Sequence, residues 1–270
     1  MIKRIVLTLT LIAACQLTAF SQSSASRQNR TAEEHYAAGL KFEGTWRVEE
    51  AEAEFRQAVQ AAPTNDLYLF KLGSMLFSGG QLEEAVAVFR RAVELKPDNA
   101  LYHYELAVTY NNLRRYAEAA TELRQAVLIE PKNHGYRTLL DFAYGMAGKD
   151  DEETEVALRE AVSYFPDDKY FRDSLGRLLL RHAKYPEAED IFTKAVLLEP
   201  EEALNHFYLA EALSRQERFT EAEAEYTAAI KLYPRSPAFY RALLDLLTRQ
   251  RKTEQIKLLS EQAAQNGIQL

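Results

Sequence analysis

The chain has 270 residues, 47% of them hydrophobic, with only 10 glycines, 8 prolines and a formal charge of -7. That much apolar material excludes a disordered tail, and scarce turn residues beside abundant Ala, Leu, Glu and Arg exclude a turn-rich sandwich, so an all-α chain is expected. Basic residues are interleaved with acidic ones rather than concentrated, which excludes nucleic acid as a partner because phosphate neutralisation needs a cationic surface.

The first element is a leader. Lys3 and Arg4 precede an apolar run from Ile5 to Ala14 that is too short to cross a bilayer, the pattern of a secretory signal peptide over residues 1–21. Ala19 and Ser21 sit at the small-residue positions before Gln22, followed by a polar linker over 22–31. A second processing reading stays open: Ile12-Ala13-Ala14-Cys15 resembles a lipobox, in which Cys15 would be lipidated. The first reading is preferred because Leu17, Ala19 and Phe20 continue the apolar run past the cysteine. Either way the remainder is expected to be exported, periplasmic or extracellular, with an outer-membrane lipoprotein as the alternative. Cys15 is the only cysteine, so folding outside the cell needs no intramolecular disulfide.

Beyond the leader, prolines at 63, 97, 131, 166, 200 and 234 are separated by 34, 34, 35, 34 and 34 residues. A period near 34 points to a solenoid of helical hairpins, each repeat holding two amphipathic helices. The repeats run 32–65, 66–99, 100–133, 134–168, 169–202 and 203–236, with a capping repeat over 237–270. Proline ends each second helix, because it cannot continue the hydrogen-bond ladder and forces the residue before it out of the helical region. The fourth repeat is one residue longer, with Thr154 where a small residue belongs, and a local weakness is expected there. The seventh carries Arg251, Lys252 and Lys257 and reads as a polar cap.

Repeat two supplies Leu69, Leu72, Gly73, Leu76, Ala85, Phe89, Ala92 and Pro97; repeat five supplies Leu175, Gly176, Leu179, Ala188, Phe192, Ala195 and Pro200. This pattern resembles the tetratricopeptide repeat family. The resemblance implies a right-handed superhelical solenoid of about seven hairpins, in which small residues at repeat positions 8, 20 and 27 let two helices approach while large ones fill the space between. It also implies protein or peptide partners lying in a concave groove lined by the first helix of each hairpin.

On that expectation the groove residues are Tyr36, Leu67, Phe70, Phe77, Leu101 and Tyr104 in the first three repeats, with Tyr170 and Phe207 further on. An apolar trough of this kind suits an extended or helical segment. The cation-and-amide clamp that some family members close on a terminal carboxylate is missing, since Tyr36, Leu40, Ser74 and Leu101 occupy its positions. His35, His103 and His206 each stand at position 4 of widely separated repeats and are read as packing residues, not metal ligands. No phosphate loop, nucleophile elbow or Cys/His pair occurs, so neither a catalytic site nor a cofactor is expected. Self-association through the terminal hairpins stays open, as does assembly of a pilus, secretin or polysaccharide-export machine by the lipoprotein form.

Overall fold

The computed structural model describes residues 31–148 and 152–270. The leader with Cys15 lies outside the described residues, as do all of the linker but Thr31, and Lys149, Asp150 and Asp151 of the fourth turn. Among the described residues every regular element is an α-helix, and none is long and apolar enough to cross a membrane.

The fold divides into two compact units, one through Tyr136 and one from Arg137 to Leu270. The first holds three hairpins: α1 (Ala32–Glu43) with α2 (Val48–Ala61), α3 (Asp66–Ser78) with α4 (Leu82–Leu95), and α5 (Ala100–Asn112) with α6 (Tyr116–Ile129). The boundary falls inside α7 (His134–Met146), after which come α8 (Glu152–Tyr164), α9 (Lys169–Arg181), α10 (Tyr185–Leu198) and α11 (Ala203–Arg215). The second unit ends with α12 (Phe219–Leu232), α13 (Pro237–Arg249) and α14 (Thr253–Gln265).

Local chemistry explains the helix ends. In the first five repeats the first helix of the hairpin is opened by a side chain that accepts from its free N–H groups: Thr31 closes a capping box with Glu34, and Asn65, Asn99, Asn133 and Asp168 accept from Tyr68, Tyr102, Tyr136 and Phe171, whereas α11 and α13 begin without such a cap. The second helix stops at Ala62, Lys96, Glu130, Glu199 and Tyr233, all pushed out to φ near -123 to -138 by the proline that follows.

The turn inside each hairpin has one further rule. Its fifteenth repeat position is left-handed in all seven repeats, at Trp46, Gly80, Arg114, Gly148, Ala183, Glu217 and Arg251, with φ between 56 and 75. Five of these are not glycine, and each carries the Cβ penalty of that region. Ala183→Gly is therefore expected to raise stability by about 0.5–1 kcal/mol, read as a higher urea midpoint with unchanged slope. A lower midpoint would show that the turn is not held at that φ.

The core forms where small meets large. Ideal Cβ atoms built on Gly39, Gly73 and Gly176 would lie 2.6–2.7 Å from the rings of Phe55, Phe89 and Phe192. Where position 8 is alanine, at Ala107 and Ala210, its position-24 counterparts are Leu123 and Tyr226, all buried. Each fully buried Leu or Phe in this layer contributes roughly 1.5–3 kcal/mol.

Candidate functional site

The groove candidates of unit 1 lie on α1, α3 and α5, and their exposures separate them into two kinds. Leu67 and Leu101, at position 2 of their repeats, are each 42% exposed. Tyr36, Phe70, Tyr104 and Phe77 are half-buried. The first three are engaged within the fold: Tyr36 stacks on Tyr68 at 4.8 Å, Phe70 on Tyr102 at 4.9 Å, and Tyr104 tilts against Tyr136 at 5.0 Å. Tyr36 and Phe70 also reach Phe55 and Phe89 of their own hairpins, at 5.7 and 6.0 Å. These rings therefore join each hairpin to the next, and the leucines beside them are the more accessible apolar groups.

The partner rings at repeat position 3, Tyr68, Tyr102 and Tyr136, were not among the sequence candidates. Their signal is an aromatic pair 32 residues apart. Tyr102 is held further by its hydroxyl, which donates to Asp66 at 2.9 Å.

Lys71 closes on both oxygens of Glu43 at 2.9 Å. Half-buried Glu105 has its carboxyl raised above the usual range by burial.

In unit 2 the remaining candidates separate. Phe207 stacks on Phe239 at 4.9 Å and packs on Tyr226 at 5.7 Å, continuing the same position-5-to-position-3 contact. Tyr170 stays 42% exposed, and its hydroxyl is raised by burial and by its hydrogen bond to Asp141. The ring ladder is not continuous here, because Thr138 and Asp173 hold position 5 in repeats four and five.

The histidines are bridges. Nδ1 of His35, His103 and His206 faces Glu54, Glu122 and Glu225 at 2.7, 2.7 and 2.6 Å, always 19 residues on. Nε2 of His103 and His206 also faces the carbonyls of Pro97 and Pro200, at 3.0 and 2.9 Å. Burial opposes charge on His103, but the bonds to Glu122 and Pro97 outweigh it and raise its pKa above the ordinary value. With an acceptor at each of its nitrogens, His103 fits best doubly protonated. Among the described residues no group of three His, Cys, Asp or Glu side chains could hold a metal ion.

A second periodic feature escaped the sequence reading. Glu52, Glu155, Glu189 and Glu223, on second helices, bond to Gln81, Lys184, Arg218 and Lys252 of the following hairpin, each 29 residues on, at 2.5–2.8 Å. His182 also meets Glu155, at 3.0 Å, and belongs to this contact.

A family model described as TPR repeat matches residues 73–113, and models described as tetratricopeptide repeat match 100–133, 174–237 and 207–266. No curated protein sequence matches the chain significantly. Among solved structures, YrrB, a TPR protein with an unusual peptide-binding site, has a TM-score of 0.57 at 20% identity and covers 70% of this chain and 96% of its own. The Naa15/Naa10 assembly bound to HypK-THB gives 0.62 at 18% identity, over 83% of this chain and 35% of the other. A tetratricopeptide repeat protein from Parabacteroides merdae gives 0.51 at 18%, over 87% and 93%. At these identities the likeness concerns the fold.

Proposed function

Because the chain belongs to the tetratricopeptide repeat family, we propose that it is an exported protein–protein interaction scaffold that holds an extended or helical partner segment on the first-helix face of unit 1. The observation that carries this reading is the exposure of Leu67 and Leu101, 42% each, beside the half-buried rings of Tyr36, Phe70, Phe77 and Tyr104. Leucines left in water on a face whose floor is already rigid suit apolar anchors of a guest, which lose little entropy on seating there. Catalysis has no part in this function.

Photo-crosslinkers placed beside Leu67 and Leu101 in cells are expected to trap a partner, and Leu67→Asp with Leu101→Asp to cut its yield at least tenfold with the helical circular dichroism unchanged. Undiminished trapping by the double variant would move the site elsewhere. A second reading, an outer-membrane lipoprotein that helps assemble an export or pilus machine, rests on the position of Cys15 after Ile12-Ala13-Ala14. The mass of the exported chain separates the two, since a mature N-terminus at Gln22 removes the lipid.

A further inference from the structure

The fourth hairpin departs from the small-against-large rule. Asp141 stands at repeat position 8, where Gly39, Gly73, Ala107, Gly176 and Ala210 stand in the other five of the first six repeats, and Leu158 holds position 24, as Leu123 does in the third repeat. A carboxylate cannot be sealed against an apolar neighbour without polar partners. It turns instead to α9, accepting from Ser174 Oγ at 3.0 Å and from the Tyr170 hydroxyl.

What remains is an open pocket of about 550 Å³ between α7, α8 and α9, inside the range of roughly 300–1,000 Å³ usual for ligand-sized clefts. Its apolar wall includes Phe142, Met146 and Tyr170, which are 45, 50 and 42% exposed, with Leu158 buried behind them. Arg177 stands in the wall beside them. Its guanidinium makes no ion pair among the described residues and lies 5.8 Å from the ring of Tyr208. The charge of Asp141 is already answered by two donors, whereas that of Arg177 is not answered by any carboxylate described.

We propose that this pocket is a second docking site, selective for a partner segment that carries an aromatic side chain next to carboxylates. The ring would enter between Phe142, Met146 and Tyr170, and the acid would pair with Arg177, a contact that gains strength from the partly desolvated wall. The pocket lies wholly in unit 2, so this assignment is independent of the leucine face of unit 1.

The test uses the full chain and three fluorescein-labelled, end-capped decapeptides that differ only at their centre, Phe-Glu-Glu, Ala-Glu-Glu and Phe-Lys-Lys, titrated by fluorescence anisotropy. The first is expected to bind at least tenfold more tightly than either of the others, and Arg177→Glu to reverse the preference between Glu-Glu and Lys-Lys. Because Arg177 is exposed, that variant should keep the wild-type melting temperature. Leu67→Asp with Leu101→Asp should leave the titration unchanged. Equal or absent binding of the three peptides, or an acidic preference that survives Arg177→Glu, would overturn the proposal. So would loss of binding on changing the two leucines.

Discussion

Replacing Gly73 by leucine is expected to destabilise the fold by about 3 kcal/mol, because the site has no room even for the first carbon of a side chain. An ideal Cβ there lies 2.7, 2.8 and 2.9 Å from three carbons of the Phe89 ring. Phe89 is itself fully buried, so the ring cannot swing into solvent and the two helices must separate. The gain in helix propensity over glycine, about 0.8 kcal/mol, is too small to offset this. Phe89→Ala alone should cost about 3–5 kcal/mol by leaving a cavity. The two changes together exchange a large and a small residue across one contact, so the double variant should be less destabilised than the sum of the singles by about 1–3 kcal/mol. Urea denaturation of the four proteins measures that coupling, and simple additivity would mean that these residues do not set the helix separation.

Glu155→Ala is expected to cost about 2–3 kcal/mol at neutral pH, and the loss should vanish in acid. The Glu155 side chain is 7% exposed and meets Arg159 at 2.8 Å, Lys184 at 2.7 Å and His182 at 3.0 Å. Burial favours its neutral form, but the bonds from Lys184, His182 and Arg159 outweigh burial and hold the carboxyl at about 2, against an ordinary value of 4.5. A depressed folded-state pKa means that the unfolded chain binds the proton more readily. The stabilisation is thus complete above about 4.5 and disappears as pH falls through about 2. A shift of that size corresponds to at most about 3.4 kcal/mol, and the exposure of Arg159 and Lys184 to solvent reduces it. Stability curves for the wild type and Glu155→Ala should converge between pH 4.5 and 2. A gap that persists at the acid end would assign the effect to packing.

Both predictions come from contacts that differ in how plainly the sequence announces them. Gly73 and Phe89 belong to one hairpin, and the repeated pairing of glycine with phenylalanine sixteen residues later, at Gly39 and Phe55 and at Gly176 and Phe192, marks their meeting. Glu155, by contrast, is one of three acidic residues in the first turn of its helix, with nothing in the sequence to set it apart from Glu152 and Glu153. Its partners Lys184 and His182 belong to the next hairpin, and nothing local to either segment reports the distance across that junction. The groove candidates divide in the same way. Leu67 and Leu101 were named for their repeat position and are exposed, whereas the rings of Tyr36, Phe70 and Tyr104 were named for the same face and are partly taken up by Tyr68, Tyr102 and Tyr136.

The amino-acid order by itself determined the helical class, the 34-residue period and the small-to-large contacts inside five of the hairpins, because helix ends and pairing between consecutive helices depend on residues close along the chain. Only the tertiary structure decided which side chains join one hairpin to the next: rings 32 residues apart, acid–base and acid–amide pairs 29 residues apart. It also placed Asp141, at a contact position, and Arg177 in the wall of one pocket. The reason is geometric: burial and ion pairing are set by the register of neighbouring hairpins, which brings together groups a whole repeat apart and leaves open whatever space they do not fill.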